Sequence, residues 1–384
     1  MTSIQKTDSR ALLPNGLRDI LPPNAAFEAA TVETLLATFS GHGYDRVKPP
    51  LIEFEEGLLT GSGKATAAQT FRVMDPITQR MMGLRADITI QVARIAATRL
   101  AGSPRPLRLA YSGQVARVKG TQLRPERQFT QAGFELIGAE GVDADAEVAL
   151  LAVESLNCLG IDLVTLDLNS PRLVPTLCAA LGLDAATTGE LRKLLEQKDI
   201  AAVADLAGDK AAPLLALAEA VGPAETVLPR LEALDLPAEA AAHRDALVAL
   251  TRRVMARAPE TNVTIDPLEH KGFEYHTGIS FALFALGARG ELGRGGEYRS
   301  DLGESSERCR GVTLYLDSVL DVVPKPAPSR RILIPSDLDR TARRTLVADG
   351  WVTVPALGAE ADAAEARRLA CGHLLDKTGT PSPV

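Results

Sequence analysis

The chain has 384 residues, 46% hydrophobic and 24% charged, which supplies one large or two ordinary globular domains with substantial cores and excludes a disordered chain. Lys and Arg total 42 against 49 Asp and Glu, a formal charge of −7, which argues against neutralising long stretches of nucleic-acid backbone and leaves room only for a local basic groove. The four cysteines lie outside metal-ligand spacing of one another, the polar N-terminal stretch carries no apolar signal core and no later segment approaches a membrane span, so a reducing cytoplasm is expected, without a zinc site, a disulfide framework or a bilayer.

Residues 13–23 punctuate an irregular entry, after which Asn24 is placed to cap a helix carrying Phe27, Val32, Leu35, Leu36 and Phe39 and ending at Gly41-His42-Gly43. YDRVKPPLIEF alternates but holds two prolines, so it reads as a strand at a sheet edge or interface. Residues 70–85 read as a hairpin turning at Pro76-Ile77-Thr78, and 87–100 as a helix. Two alternating runs, 107–119 and 127–138, are joined by a polar turn and make an antiparallel pair. A helix over 143–160 and a strand at VTLDLNS follow. From 171 to about 258 the chain is rich in Ala, Leu and Glu with helical periodicity, an inserted helical module. A strand at 272–286, a glycine-rich turn GARGELGRGGEY and an apolar helix VTLYLDSVLDVV precede the linker PKPAPSRR. The tail then reads strand, helix, strand, giving domains at 10–323 and 329–377.

On a strand, Gln131, Gly133 and Glu135 share one face and Ala132, Phe134 and Leu136 the other. One face is apolar; the other is polar with a gap at Gly133, where another group can approach closely and a ligand could lie. By the same parity Tyr111, Gly113, Val115 and Arg117 share a face, and pairing of the two runs brings Arg117 toward the Gln131–Glu135 stripe. A cation, an amide and a carboxylate in one place suit an amino acid: the carboxylate and amide can hold an ammonium or imidazole, the arginine a carboxylate. The alternative is a solvated polar face, the commoner state of an antiparallel strand.

The order of these segments resembles the catalytic domain of class II aminoacyl-tRNA synthetases, in particular histidine–tRNA ligase, over most of residues 10–320. NGLRDILP is similar to that family's opening, GYDRVKPPLIE to its motif 1, LRADIT to its Leu-Arg-Pro-Glu-x-Thr, YSGQVARVKG with RQFTQAGFELIG to its motif 2, and HKGFEYH to its histidine motif. The resemblance implies an α+β fold, with an antiparallel six- or seven-stranded sheet flanked by helices, the helical insertion, a short α/β tail, and a homodimer built around motif 1. It implies a histidine-like pocket in which Asp87, Thr89 and Gln131 take the α-ammonium, Glu135 reads the imidazole, and Tyr275 and Tyr298 line the wall. His276 stands where that family has a second tyrosine and Glu297 where it often has arginine.

The ATP apparatus departs from the pattern. Arg117 keeps the motif 2 arginine, but Lys119 replaces the acidic residue two positions on; Ser318 stands in the place of the motif 3 arginine and Asp317 in that of its glutamate; Lys271 replaces the histidine-motif arginine and lacks its planar fork. Adenylyl transfer depends on cations set against phosphate charge, so these changes should abolish turnover. The residues after the linker, 332–384, are fewer than an anticodon-binding domain of about 100 residues. A synthetase fold of this kind resembles the regulatory subunits of ATP phosphoribosyltransferase. That family implies a noncatalytic chain assembled with a short-form catalytic subunit in a hetero-oligomer for the first step of histidine biosynthesis, with L-histidine as a possible effector; no cofactor or metal is expected, and the acidic balance and short tail make tRNA an unlikely partner. The runner-up is an amino-acid adenylating enzyme of the histidine–tRNA ligase type.

Other features read as structural. The glycine run lacks the lysine and hydroxyl of a phosphate loop. His42 reads as a capping or surface residue, His243 and His373 as structural, Cys309 as a buried small hydrophobe, and Arg340, Arg343 and Arg344 as a solvated helix face. Arg108, Arg117, Lys119, Arg124 and Arg127 form the densest basic stretch, which could face an acidic partner.

Overall fold

In the computed structural model, which describes residues 12–59, 66–122, 124–269, 275–302, 306–358, 360–376 and 378–384, the first regular element is α1 (Asn24–Gly41). Its buried Thr31, Leu35, Leu36 and Phe39 recur at helical spacing and face one side. Asn24 is the first helical residue rather than the cap, which is Pro23 and makes no side-chain bond. The proline-containing segment splits as its composition requires: β1 (Asp45–Arg46) joins the main sheet at its edge and β2 (Ile52–Phe54) a separate three-stranded sheet, the prolines lying between. A short helix α2 (Glu55–Leu58) leads to the expected hairpin, β3 (Arg72–Met74) and β4 (Met81–Leu84), which completes that sheet in the order β2-β4-β3.

Helix α3 (Thr89–Thr98) precedes the long pair β5 (Leu107–Ala116) and β6 (Gln128–Ile137), antiparallel with Tyr111 opposite Gly133 and Gly113 opposite Gln131. Then come α4 (Val142–Asn157), β7 (Thr165–Asn169) and the helical insertion: α5 (Leu173–Ala180), α6 (Ala185–Glu196), α7 (Ile200–Ala207), α8 (Ala211–Ala218), the two-residue β8 (Gly222–Pro223), α9 (Ala224–Glu232) and α10 (Ala238–Arg257). β9 (Asn262–Ile265), β10 (His276–Phe284), β11 (Gly293–Ser300), β12 (Glu307–Tyr315) and α11 (Leu316–Val322) close this part of the chain.

Among the described residues the main sheet has nine strands, in the order β1-β5-β6-β12-β11-β10-β7-β9-β8, rather than six or seven, and is not wholly antiparallel: β1 pairs with β5, and β7 with β9, in parallel. The second parallel pair follows from the insertion, since parallel neighbours need a long crossover and the helical module supplies it. Two expectations fail here. The run GRGGEYRS is the central strand β11, not a turn: a Cβ at Gly295 would overlap the Phe281 ring, and Gly296 has φ +146°. VTLY belongs to β12, and the helix starts only at Leu316, a short apolar run being ambiguous between the two periods.

One face of the sheet is the main core. Ala132, Phe134 and Leu136 pack there with Leu35, Phe39 and α4, and the Phe134 ring lies 4.9 Å from Phe39 and 4.7 Å from Tyr44. The other face carries a smaller cluster, including Ile88, Val92, Tyr111, Tyr298, Cys309 and Tyr315. It borders the candidate site.

Clustering of contacts divides the chain into Met1–Pro324 and Lys325–Val384. In the second unit β13 (Arg331–Ile334), α12 (Arg340–Ala348) and β14 (Val352–Pro355) follow the expected order, and α13 (Ala363–Arg368), β15 (His373–Leu375) and β16 (Pro381–Pro383) extend it. Its sheet runs β14-β13-β15-β16. Successive β13 residues serve two small cores, Ile332 and Ile334 with Leu346 and Trp351, Leu333 with Ala366 and Cys371. Asp339 caps α12 through the amides of Thr341 and Ala342, and its arginines are exposed. Among the described residues no helix is long and apolar enough to cross a membrane.

Candidate functional site

The site grows from strand parity and register. Cross-strand pairing aligns Leu109, Glu135, Gly311, Gly296 and Ser280 in one row across β5, β6, β12, β11 and β10, and Tyr111, Gly133, Thr313, Arg294 and Ala282 in the next. Side chains in these rows project from the face opposite the main core. The turn before α3 and the start of that helix sit over that face and contribute Asp87 and Thr89.

Two hydrogen-bonded groups result. In the first, Gln131 Nε2 donates to Asp87 Oδ2 at 2.9 Å, its Oε1 accepts from the Ile88 amide at 3.2 Å, and the Thr89 amide donates to Asp87 Oδ1 at 2.9 Å. The hydroxyls of Thr89, Tyr111 and Thr313 bond one another, Tyr111 to Thr313 at 2.8 Å and Thr89 to each at 3.2 Å. In the second, the Tyr298 hydroxyl donates to Glu135 Oε2 at 3.1 Å. The Tyr275 ring stands 6.0 Å from Tyr298 and 4.1 Å from His276.

Glu135, Gln131 and Tyr111 are fully buried or nearly so. Burial pushes the Glu135 carboxyl up to about 8, the nearby Asp87 carboxylate adds to the rise, and the Tyr298 hydrogen bond opposes it. Burial likewise raises the phenols of Tyr111, Tyr275 and Tyr298, and it pushes the Cys309 thiol up to about 12, so Cys309 is no thiolate nucleophile.

The gap at Gly133 is filled by the protein itself. A Cβ there would stand 2.6 Å from the Tyr111 hydroxyl oxygen, so the close-approaching group is a tyrosine of the neighbouring strand rather than a ligand. Gly311 serves Glu135 in the same way: a Cβ would overlap the carboxylate.

The basic stretch leads to a different arrangement. Arg117 Nε donates to the Ala86 carbonyl at 3.3 Å, and its guanidinium lies 5.0 Å from the Phe129 ring centroid. Arg124 stacks 3.9 Å from the Tyr315 ring, pairs with Asp317 at 3.2 Å and lies 3.6 Å from Glu291. Arg294 pairs with Glu291 as well. Arg108 is bound to Glu147 at 2.8 Å, and Arg127 donates to the carbonyls of Asn15 and Arg117. Much of the basic stretch that could face an acidic partner is therefore engaged within the chain. On the core face Arg310 is buried between Asp145, Glu297 and the Ala139 carbonyl, so Glu297, in the place of an arginine, meets an arginine directly opposite on β12.

Of the residues singled out from sequence, Asp87, Thr89 and Gln131 come together, Glu135 joins Tyr298 with Tyr275 beside it, and Arg117 reaches the backbone next to Asp87. Lys271 lies outside the described residues. Thr313 and Arg294 were missed; both share the register rows of Gly133, which sequence parity reveals only once β11 and β12 are recognised as strands. His42 caps α1 and pairs with Glu154 at 3.1 Å, as a surface residue does. Among the described residues no group of three or more His, Cys, Asp or Glu could hold a metal ion.

Fold and site together define a class II, histidyl-tRNA synthetase-like domain: the family profile described as Histidyl-tRNA synthetase matches residues 16–319. A crystal structure of an ATP phosphoribosyltransferase regulatory subunit/histidyl-tRNA synthetase from Bacillus halodurans superposes with a TM-score of 0.80 at 22% identity, covering 94% of this chain and 97% of that one. Within this class the chain belongs to the ATP phosphoribosyltransferase regulatory subunit family. The protein of that name from Rhodospirillum rubrum is 71% identical over 100% of both chains, and that from Rhodospirillum centenum 55% identical over 97% of both.

Proposed function

We propose that the chain is a noncatalytic subunit that assembles with the short-form catalytic subunit of ATP phosphoribosyltransferase in the cytoplasm, serves the first step of histidine biosynthesis, and binds L-histidine in the pocket of Asp87, Thr89, Gln131, Glu135, Tyr275 and Tyr298. Arg117 lies on the carboxylate side of that ligand; Lys271, also expected there from the sequence, is outside the described residues. The observation that carries the reading is the contrast between the two halves of the cleft. In the amino-acid half Asp87 and Glu135 are hydrogen-bonded but have no ion-pair partner among the described residues, whereas around Tyr315 the cations Arg124 and Arg294 are bound to Asp317 and Glu291. A triphosphate would have to displace those carboxylates, and catalysis of adenylyl transfer needs the cations free. Feedback then works by linkage: if L-histidine binds the inhibited assembly more tightly than the active one, occupancy shifts the population, and the catalytic subunit reciprocally alters histidine affinity.

The chain acts as a homodimer within the hetero-oligomer. The small sheet β2-β4-β3 supports this, with Leu51, Ile52, Val73, Met74, Ile77 and Met81 exposed, Ile77 by 89%. Light scattering of the isolated chain should return twice the chain mass. Neither tRNA nor a membrane enters this reading.

Mixing the purified chain with the short catalytic subunit tests it: the rate of phosphoribosyl transfer should rise, and an unchanged rate at saturating chain would refute the assignment. The adenylating-enzyme reading draws on Arg117, whose side chain bonds a carbonyl rather than a carboxylate. Histidine-dependent pyrophosphate exchange would favour it.

A further inference from the structure

We infer that Glu135 holds its proton in the empty pocket and passes it to the imidazole of the bound amino acid, so that a neutral acid and a neutral base become a buried ion pair. The inference rests on the reading of the pocket as one for L-histidine.

Glu135 sits fully buried on β6, an interior strand of the main sheet. Among the described residues it has no ion-pair partner. Its neighbours are hydroxyls and acids: Tyr298 from β11 donates to it, Tyr111 and Thr89 approach from β5 and α3, and Cys309 lies on β12. Asp87, before α3, is a second carboxylate acting on it, Tyr275 lies on the β10 side, and Tyr44 across the sheet is bonded to Glu147. His276 is in register with Tyr298. The cations of the cleft are committed elsewhere, Arg294 to Glu291 and Arg117 to the Ala86 carbonyl. A carboxylate ion enclosed in this way lacks both water and a counter-ion, and the neutral acid is the stable form.

A neutral carboxylic acid is a hydrogen-bond donor, and a neutral imidazole offers an acceptor nitrogen. When the two meet, the O–H bond of Glu135 breaks and an N–H bond forms on the ring. The imidazolium is then the counter-ion the site lacked, and the carboxylate is the anion that stabilises it. No proton is drawn from solvent. An aliphatic ammonium or guanidinium side chain arrives already charged and must expel the Glu135 proton, so the pocket selects a base that is neutral at cytoplasmic pH, as imidazole is with its pKa near about 6.5.

Calorimetry with L-histidine tests this, using two buffers of widely different ionisation enthalpy at pH 7.2 and again at pH 8.5. Between the ligand's pKa and that of Glu135 the proton is already on the protein, so the heat at pH 7.2 should be the same in both buffers. At pH 8.5 the acid has ionised, and binding should take up most of one proton. Glu135→Gln should abolish that uptake. Buffer-independent heat at pH 8.5, uptake of a full proton already at pH 7.2, or uptake retained in E135Q would each overturn the inference. Absence of binding at both values would remove L-histidine as the ligand, and with it the transfer. The infrared spectrum of the unliganded protein judges the first half separately: a carboxylic C=O band present at pH 7.2 and missing in E135Q supports it, and the band's absence contradicts it.

Discussion

Arg124 lies 3.2 Å from Asp317 while stacking 3.9 Å from the Tyr315 ring, so the cation best placed beside the aromatic wall of the cleft is already neutralised by the chain's own carboxylate. The side chains are 13% and 5% exposed, which makes this a largely desolvated pair. Asp317→Asn leaves the guanidinium with Glu291 alone and should lower the unfolding free energy by about 2 kcal/mol, below the full cost of stranding a buried charge. Urea unfolding of both proteins at pH 7 measures it.

Glu135 makes the stability of the empty protein depend on pH, and the sign follows from linkage. Its carboxyl is raised from 4.5 to about 8 in the fold, so between those values the native state holds a proton that the unfolded chain has lost. Stability is therefore greatest below the unfolded value and falls as pH rises toward 8, with Glu269, pushed up to about 7 by burial, acting in the same direction. Glu135→Gln should flatten the decline and exceed the wild type at pH 8.5 by an amount on the order of 2–4 kcal/mol. Unfolding curves at pH 5, 7 and 8.5 would reveal an unchanged slope if the carboxyl were already ionised.

Asp87 accepts from Gln131 and from the Thr89 amide, which fixes both of its oxygens toward the site assigned to the ligand ammonium. Asp87→Asn keeps the shape and removes the charge. It should weaken L-histidine binding by about 10- to 100-fold, the usual worth of a hydrogen bond to a charged group. Equilibrium dialysis at constant pH tests this.

Gly133 is a packing requirement in this chain. A Cβ would stand 2.6 Å from the Tyr111 hydroxyl and 2.7 Å from its ring carbon Cζ, and would overlap the Val312 carbonyl. Gly133→Ala should cost about 1–3 kcal/mol from overpacking. Tyr111→Phe added to it should not restore the loss, because the ring and the backbone remain in the way. Thermal unfolding of the single and double variants separates these cases.

The β5–β6 pair was legible in the sequence because its alternation is unbroken, and that parity alone assigned Gln131 and Glu135 to a common face; that this polar face is buried as deeply as the apolar one was not legible. β11 was not legible. Gly293, Gly295 and Gly296 give its sequence the composition of a turn, and the reasons for them, such as the Phe281 ring against Gly295, lie on another strand. Losing that strand hid Arg294, and reading VTLY as helix hid Thr313. The neutralisation of Arg124 by Asp317 joins residues far apart in the chain. The substitution at Asp317 was visible as a departure from the synthetase pattern, but its ion pair required the folded chain.

Arg124 and Arg294 are bound to Asp317 and Glu291, while Asp87 and Glu135 have no ion-pair partner among the described residues, the contrast on which the proposed noncatalytic role rests. L-histidine-dependent exchange of labelled pyrophosphate into ATP at high protein concentration, on the sample used for L-histidine binding, tests this contrast most directly. Exchange no faster than in a protein-free blank is the expected result, and exchange that rises with L-histidine and with protein concentration would contradict it.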